Sequence, residues 1–279
     1  MPVDLHLHST RSDGTLSPAD LITEARRLGL SAVALTDHNT VAGLPAFLAE
    51  AQRQGITAVA GTELSTIYEG TEYHLLGLFI PENAFPAVTA LTEDYLALKE
   101  QSNRDLVARL TAAGYSIDYD EILRKHPHSN INRARIAEEL LASGHVASVK
   151  EAFSTLLGVN MGYYVPPRRL DLLEAIRFLR GIRAIPVWAH PLQSGDEATV
   201  RAILPAAVEA GLMGLEVQHS SYDEATMAKA KSIADDFGLL YSGGSDYHGI
   251  AKPDVRMGVG KGNLRIPDSY YEDLHARAL

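Results

Sequence analysis

Residues 31–66 read SAVALTDHNTVAGLPAFLAEAQRQGITAVAGTELST. The run over 31–39 is a buried strand whose C-terminal end carries Asp37 and His38. A helix over roughly 43–54 follows and stops at Gly55, and ITAVAGTELST, 56–66, is a second strand that ends on Glu63. Two apolar strands joined by a helix call for parallel pairing and a right-handed crossover. The same rhythm extends upstream. DLHLHSTRSDGT, 4–15, starts with a short strand, and Ser17-Pro18 with Asp20 opens a helix that stops at Gly29. The first 66 residues are therefore a βαβαβ unit.

Downstream, TEYHLLGLFI, 71–80, is an apolar strand that hairpins back across Tyr68-Glu69-Gly70 and carries His74. A long amphipathic helical stretch covers about 85–113, and residues 115–165 break the rhythm with short helices in DYDEILRK, NRARIAEELLASG and SVKEAFSTLLG. The alternation then resumes. A helix at 170–180 leads to RAIPVWAHP, which ends on His190. A helix at about 197–210 leads to GLMGLEVQHS, which ends on His219. A third, at 223–237, leads to LLYSGGSDYHG, with Asp246 and His248. The tail, 260–279, reads as a turn and a short helix. The fold expected is α/β, a barrel over 1–98 and 166–279 with an inserted helical subdomain over 99–165.

Composition bounds the function. The chain has 279 residues, 46% of them hydrophobic, enough for a sizeable core. It has no cysteine, so any metal must be held by imidazole and carboxylate. The opening MPVDLHLHS lacks the basic and apolar regions of a secretory signal, and no apolar run approaches about 18 residues, so a cytoplasmic location without a membrane partner is expected. A net charge of −10 argues against a basic face gripping duplex DNA, but not against a nucleotide or short oligonucleotide held at a metal.

His6 and His8 lie two apart on a strand, so both imidazoles face one way while Leu5 and Leu7 face the other. Asp13, His38, Glu63, His74, His190, Asp246 and His248 join them from the other units, most of them at C-terminal strand ends, where catalytic groups gather in parallel α/β barrels. Each alone has a structural alternative: Asp37 and Asn39 can cap the next helix, and His74 can be a satisfied core histidine. Nine imidazoles and carboxylates at equivalent places point to metal. Nine exceed what one zinc-like ion takes. They suit two or three ions with Glu63 bridging, and nitrogen and oxygen donors without sulfur suit Mn, Zn, Fe or Co.

HLHST with Asp13, TDHN at 36–39, GTELS at 61–65, His74 in its strand, AHP at 189–191 and GSDYHG at 244–249 resemble, in order and spacing over nearly the whole chain, the motifs of the PHP (polymerase and histidinol phosphatase) superfamily. The helical insertion resembles that of its small bacterial phosphoesterases acting on nucleotides. The resemblance implies a distorted (β/α)7 barrel with a trinuclear centre: His6, His8, Glu63 and Asp246 on one ion, Asp13, His38 and His248 on a second, and Glu63, His74 and His190 on a third. Asp13 stands where relatives often carry histidine. Related enzymes usually read Gly-Arg-Pro-His-Ile-Ala where this chain has Asn-Arg-Ala-Arg-Ile-Ala at 132–137, which retains Arg133 and puts Arg135 in place of histidine.

Guanidinium forks at a helix start match phosphate oxygens, so Arg133 and Arg135 are the expected substrate ligands; Arg135 has a competing partner in Glu138 or Glu139. His219 is a candidate phosphate ligand or proton donor, His248 a second candidate donor, and Lys252 a weaker candidate. His126, His128, His145 and His275 read as surface residues. The reaction expected is hydrolysis of a nucleotide phosphate monoester, a 3′,5′-bisphosphonucleotide or a nucleoside monophosphate, by water activated between two ions. Competing readings are 5′-to-3′ removal of nucleotides from short RNA, histidinol-phosphate hydrolysis, and a non-catalytic metal- and nucleotide-binding module.

Overall fold

The computed structural model describes residues 2–125, 131 and 133–278. His126 and His128 therefore lie outside the described residues, as do positions 129, 130 and 132 of the insertion motif. The chain divides into two compact units, one formed by 1–90 with 170–279 and the other by 91–169.

The first unit is a seven-stranded sheet among the described residues, with β1 (Val3–Leu7), β2 (Ala32–Leu35), β3 (Thr57–Tyr68), β4 (Thr71–Leu78), β5 (Ile185–Ala189), β6 (Gly214–His219) and β7 (Leu240–Gly244) adjacent in chain order. β1, β2 and β3 pair in parallel, as do β5, β6 and β7, whereas β4 is antiparallel to both neighbours. That hairpin is where the barrel departs from a regular (β/α) repeat: two residues, Glu69 and Gly70, connect β3 to β4, and both have positive φ as a tight hairpin turn requires.

The sheet nearly closes. Just beyond β7, Asp246 N–H donates to His6 O at 3.0 Å, and His8 N–H donates to Tyr247 O at 3.0 Å. Closure needs Gly244, because a Cβ there would lie 2.1 Å from the Cβ of His6. Side chains of β1 alternate as the pleat dictates, and Asp4, His6 and His8 are as fully buried as Leu5 and Leu7. The polar face of this strand thus belongs to a filled interior.

The connecting helices begin with the expected caps. Ser17 caps α1 (Pro18–Arg27), Asp171 caps α7 (Leu172–Gly181), Asp196 caps α9 (Glu197–Ala210) and Asp223 caps α10 (Glu224–Asp236), each side chain accepting backbone N–H groups of the first turn. Gly55 at φ +65° ends α2 (Leu44–Gln54). In α7 the buried Leu172, Ala175, Ile176 and Leu179 form one apolar stripe. Leu179 packs where Gly77 of β4 leaves room for it, since a Cβ on Gly77 would come within 2.5 Å of its side chain. One turn, α8 (Pro191–Ser194), follows β5, and α11 (Asp268–Ala278) ends the described chain.

The second unit holds most of α3 (Phe85–Ala112), with α4 (Tyr119–Lys125), α5 (Arg133–Ala142) and α6 (Val149–Ala152), which runs on into a π-helical turn over Phe153–Leu157. It has its own core of Leu106, Leu110, Ile122, Ile136, Leu140 and Leu157. Among the described residues no helix is long and apolar enough to cross a membrane.

Candidate metal centre

Glu63, on β3, is the hub. Its carboxylate is buried, and five imidazoles from four strand regions surround it. Oε2 stands 3.1 Å from Nε2 of His6, 3.1 Å from Nε2 of His8 and 3.2 Å from Nδ1 of His38; Oε1 stands 2.9 Å from Nδ1 of His74 and 3.1 Å from Nε2 of His190. Asp246 reaches the same cluster, with Oδ1 at 3.3 Å from Nε2 of His8 and 3.7 Å from Nε2 of His6. Asp13 sits at the exposed rim, with Oδ1 3.1 Å from Nε2 of His248 and 3.7 Å from Nδ1 of His8, and Oδ2 3.8 Å from Nε2 of His38.

Candidate ligand atoms within 4.8 Å of one another fall into three groups: His6, His8, Glu63 and Asp246; His8, Asp13, His38 and His248; and His38, Glu63 and His74. The first coincides with the set that the sequence resemblance implies. The second adds His8 to its set. The third brings in His38 in place of His190, whose Nε2 meets Glu63 Oε1 at 3.1 Å and whose ring lies edge-on to that of His74 with centroids 5.2 Å apart. Four of the atoms at this region, His6 Nε2, His8 Nε2, His38 Nδ1 and Glu63 Oε2, are buried and make no hydrogen bond. An unsatisfied buried polar atom costs about 1–3 kcal/mol. Converging lone-pair donors left in that condition fit divalent cations, and the mixed nitrogen and oxygen set without sulfur fits first-row metals.

The charges agree. Burial pushes the Glu63 carboxyl upward, but His6 and His38 outweigh it and hold it well below the usual carboxylate range. Asp246 is held down in the same way, against burial, by His219, His8 and His6, and Asp13 by His248, His38 and His8. Burial lowers His6, but Glu63 and Glu216 overcome it and raise it well above its ordinary value. His74 is likewise pushed up to about 10 by Glu63 and Glu72 against burial. Burial prevails at His38, pushed down to about 4, and at His190, also lowered.

Three buried carboxylates support the site from behind, and the sequence reading does not single out two of them. Glu216 of β6 lies 3.0 Å from Nδ1 of His6 and accepts His190 N–H at 2.8 Å. Asp4 of β1 accepts N–H groups of Ser245 at 2.8 Å and Gly258 at 2.7 Å, pinning β1 to the segment after β7. The signal was available: a carboxylate inside an apolar strand, and a third polar residue in register with His6 and His8. Asp37 has a different role from the capping alternative. It caps no helix, since Gly43 stands at the N-terminus of α2 without a side-chain cap. Its carboxylate instead accepts Ser9 N–H, Ser9 Oγ–H and Ser12 Oγ–H, each at 2.7 Å, and folds the loop carrying Asp13 over β1. Asn39 likewise pairs with Ser65, not with a helix.

His219 and His248 occupy different hydrogen-bond settings. His219 Nδ1 accepts Ser221 N–H at 3.2 Å, which leaves the proton on Nε2, 3.5 Å from Asp246 Oδ2. His248 Nδ1 faces the carbonyl oxygen of Asp246 at 2.9 Å and must donate, which leaves a lone pair on Nε2 toward Asp13. Lys252 is not a solvated loop lysine: its Nζ donates to Asp246 Oδ2 at 2.7 Å. In the helical unit, Arg133 lies over the Tyr164 ring at 4.2 Å and donates to Leu157 O at 3.1 Å. Arg135 pairs with Glu138 at 2.7 Å, the competing partner expected on its own helix. His145 is partly buried, its Nε2 accepting Ser116 N–H at 2.9 Å, while His275 is exposed.

The family model described as PHP domain matches residues 4–162. A 5′-3′ exoribonuclease of Haemophilus influenzae is 32% identical over 267 residues, covering 95% of each chain. A 3′,5′-nucleoside bisphosphate phosphatase of Chromobacterium violaceum is 32% identical over 281 residues, covering 99% of this chain and 98% of its own. The solved structure of a candidate metal-dependent phosphoesterase from Bifidobacterium adolescentis superposes with a TM-score of 0.73 at 29% identity, covering 100% of this chain and 98% of that one.

Proposed function

This chain belongs to the PHP domain family, and from that premise we propose that it hydrolyses phosphate monoesters of nucleotides, 3′,5′-bisphosphonucleotides or nucleoside monophosphates, as a metal-dependent phosphoesterase. The observation that carries the reading is the convergence of five imidazoles on Glu63, with the facing nitrogens of His6, His8 and His38 buried and unsatisfied. His6, His8, Glu63 and Asp246 would hold one ion, Asp13, His38 and His248 a second, and Glu63, His74 and His190 a third, with Mn, Zn or Fe as the chemically matched metals. The ions supply Lewis-acid charge at the phosphoryl group and lower the pKa of the attacking water.

Charge counting supports three positions. Asp13, Glu63, Asp246 and Glu216 bring four negative charges to the centre. Three dications, with the Lys252 ammonium on Asp246, would leave a net charge of about +3, which favours a phosphate monoester dianion.

The protein's own groups divide the remaining work. His219 carries its proton on Nε2 and is the general acid for the leaving oxygen, while His248, with its Nε2 lone pair turned inward, is a ligand and not the acid. Arg133 grips phosphate: stacking on Tyr164 orders its fork, and a guanidinium has donors beyond the one given to Leu157 O. Arg135 is the secondary contact, at the cost of its Glu138 pair.

Phosphate release from nucleoside monophosphates, 3′,5′-bisphosphonucleotides, histidinol phosphate and short 5′-phosphorylated RNAs, with Mn2+ added, tests the reading. Turnover is expected to be fastest on the mononucleotides and bisphosphonucleotides. Fastest turnover on RNA would place this chain with its exoribonuclease relative. Release from none would sink the catalytic reading.

A further inference from the structure

Glu216 lies at the middle of β6, fully buried, on the far side of the centre from Glu63. Its two oxygens serve two different ligand residues. Oε1 is 3.0 Å from Nδ1 of His6, and Oε2 accepts the backbone N–H of His190 at 2.8 Å. The His6 and His190 rings stack with centroids 5.8 Å apart and planes 16° apart. Across them, Nε2 of His6 meets Oε2 of Glu63 and Nε2 of His190 meets Oε1, each at 3.1 Å. Glu63 thus meets both near-parallel imidazoles, while Glu216 holds the ring of His6 and the backbone of His190. His190 needs that hold. Its backbone is left-handed, φ +30° and ψ +51°, a region that a non-glycine side chain enters only when held.

We propose that Glu216 is a positioning residue that fixes the Nδ1–H tautomer of His6 and the left-handed backbone of His190 together, so that one buried carboxylate sets the aim of ligands belonging to two ion positions. The inference rests on the metal reading of the centre.

The physical core is donor and acceptor arithmetic. Both partners donate to Glu216: a backbone N–H can do nothing else, and Nδ1 of His6 must carry the proton if Nε2 is to ligate. A carboxylate accepts from both. The isosteric amide of Glu216→Gln has one accepting oxygen, so its NH2 must confront either His190 N–H or Nδ1–H of His6. Relief at His6 comes only by moving the proton to Nε2, the atom aimed at the ion.

The test titrates metal-stripped wild-type and E216Q proteins with Co2+, following visible absorption and bound metal. E216Q is expected to bind Co2+ with about 10–100-fold weaker affinity and an altered d–d spectrum. Wild-type affinity and an unchanged spectrum in E216Q would overturn the proposal. Should E216Q not fold, 15N-detected imidazole NMR of the Zn2+-loaded wild-type protein decides instead: an Nδ1–H tautomer at His6 supports the assignment and an Nε2–H tautomer overturns it. Failure of the wild-type protein to bind Co2+ would remove the metal reading itself, and this inference with it.

Discussion

Gly244→Ala should break the barrel seam and the metal centre together. The substitution adds one methyl group at the end of β7, where a Cβ would lie 2.1 Å from His6 Cβ, 2.7 Å from His6 N and 2.9 Å from His6 Cα. Carbon atoms settle at about 3.5–4.0 Å, so β7 must withdraw from β1 by more than about 1 Å. The obstacle is backbone and Cβ, which no rotamer change removes. The bond from Asp246 N to His6 O, now 3.0 Å, and that from Ser245 N to Asp4 Oδ1, now 2.8 Å, both cross the same seam. Overpacking costs about 1–3 kcal/mol, and each lost buried hydrogen bond adds about 1 kcal/mol. The sum, about 3–5 kcal/mol, corresponds at roughly 2 °C per kcal/mol for a chain of this length to a melting point lower by roughly 6–10 °C. Asp246 moves with the seam, away from His6 and His8, so bound metal falls as well. Differential scanning calorimetry with metal analysis of the purified protein reads both. Gly181→Ala is the control, because a Cβ there meets nothing within 4 Å. Equal melting points and metal contents for G244A and wild type would refute the reasoning.

His8→Ala should remove metal and phosphatase activity together, because Nε2 of His8 faces both Glu63 and Asp246; full activity with metal retained would contradict its assignment. Arg133→Ala should raise KM for phosphoesters and leave metal content unchanged, and steady-state kinetics identical to wild type would leave the helical unit without its proposed role. Asp171→Ala removes the acceptor for Leu173 N–H and Glu174 N–H at the start of α7. It should cost about 1 kcal/mol of stability by denaturant titration without altering kcat.

The strand ends were legible because two constraints coincide there. A strand pointing its apolar residues at helices must point the alternate set inward, so the DLHLH stretch encodes both the barrel wall and the centre. The βαβ rhythm gave parallel order, and the Glu69-Gly70 turn gave the reversed β4. Glu216 stood out as a carboxylate inside an apolar strand, but its partner was not legible. One carboxylate in GLMGLEVQHS carries no spacing signature, and its partner His6 lies 210 residues away. The role of Asp37 stayed open because a carboxylate after a strand is locally equivalent to a helix cap, and only the return of Ser9 and Ser12 across the fold distinguishes the two. Lys252 was undervalued on similar grounds, since a loop lysine's partner is decided by the loop's path. The Arg135 pair with Glu138 is local, three residues apart on one helix, and its two possible roles were both visible from sequence.

The same electrostatics makes metal uptake a proton-releasing event. In the metal-free centre, carboxylates hold the pKa values of His6, His8 and His74 above the ordinary imidazole value, with burial opposing them at each. His6 and His74 are therefore largely protonated near pH 7, and their positive charge offsets that of Glu63, Asp246 and Glu216. An imidazolium has no lone pair to give. An incoming cation must displace each proton and take over the charge balance the proton was providing. His38 and His190, whose pKa values burial lowers, are already neutral and release nothing. Filling the centre at pH 7 should therefore release the protons of His6 and His74, and apparent affinity should rise with pH up to about 10, where His74 loses its proton unaided. Calorimetric titration of the metal-stripped protein with Mn2+ or Zn2+, in buffers of different ionisation enthalpy, counts the protons directly. Heats independent of the buffer would mean that the imidazoles were neutral beforehand, and the balance between Glu63 and its five histidines would have to be drawn another way.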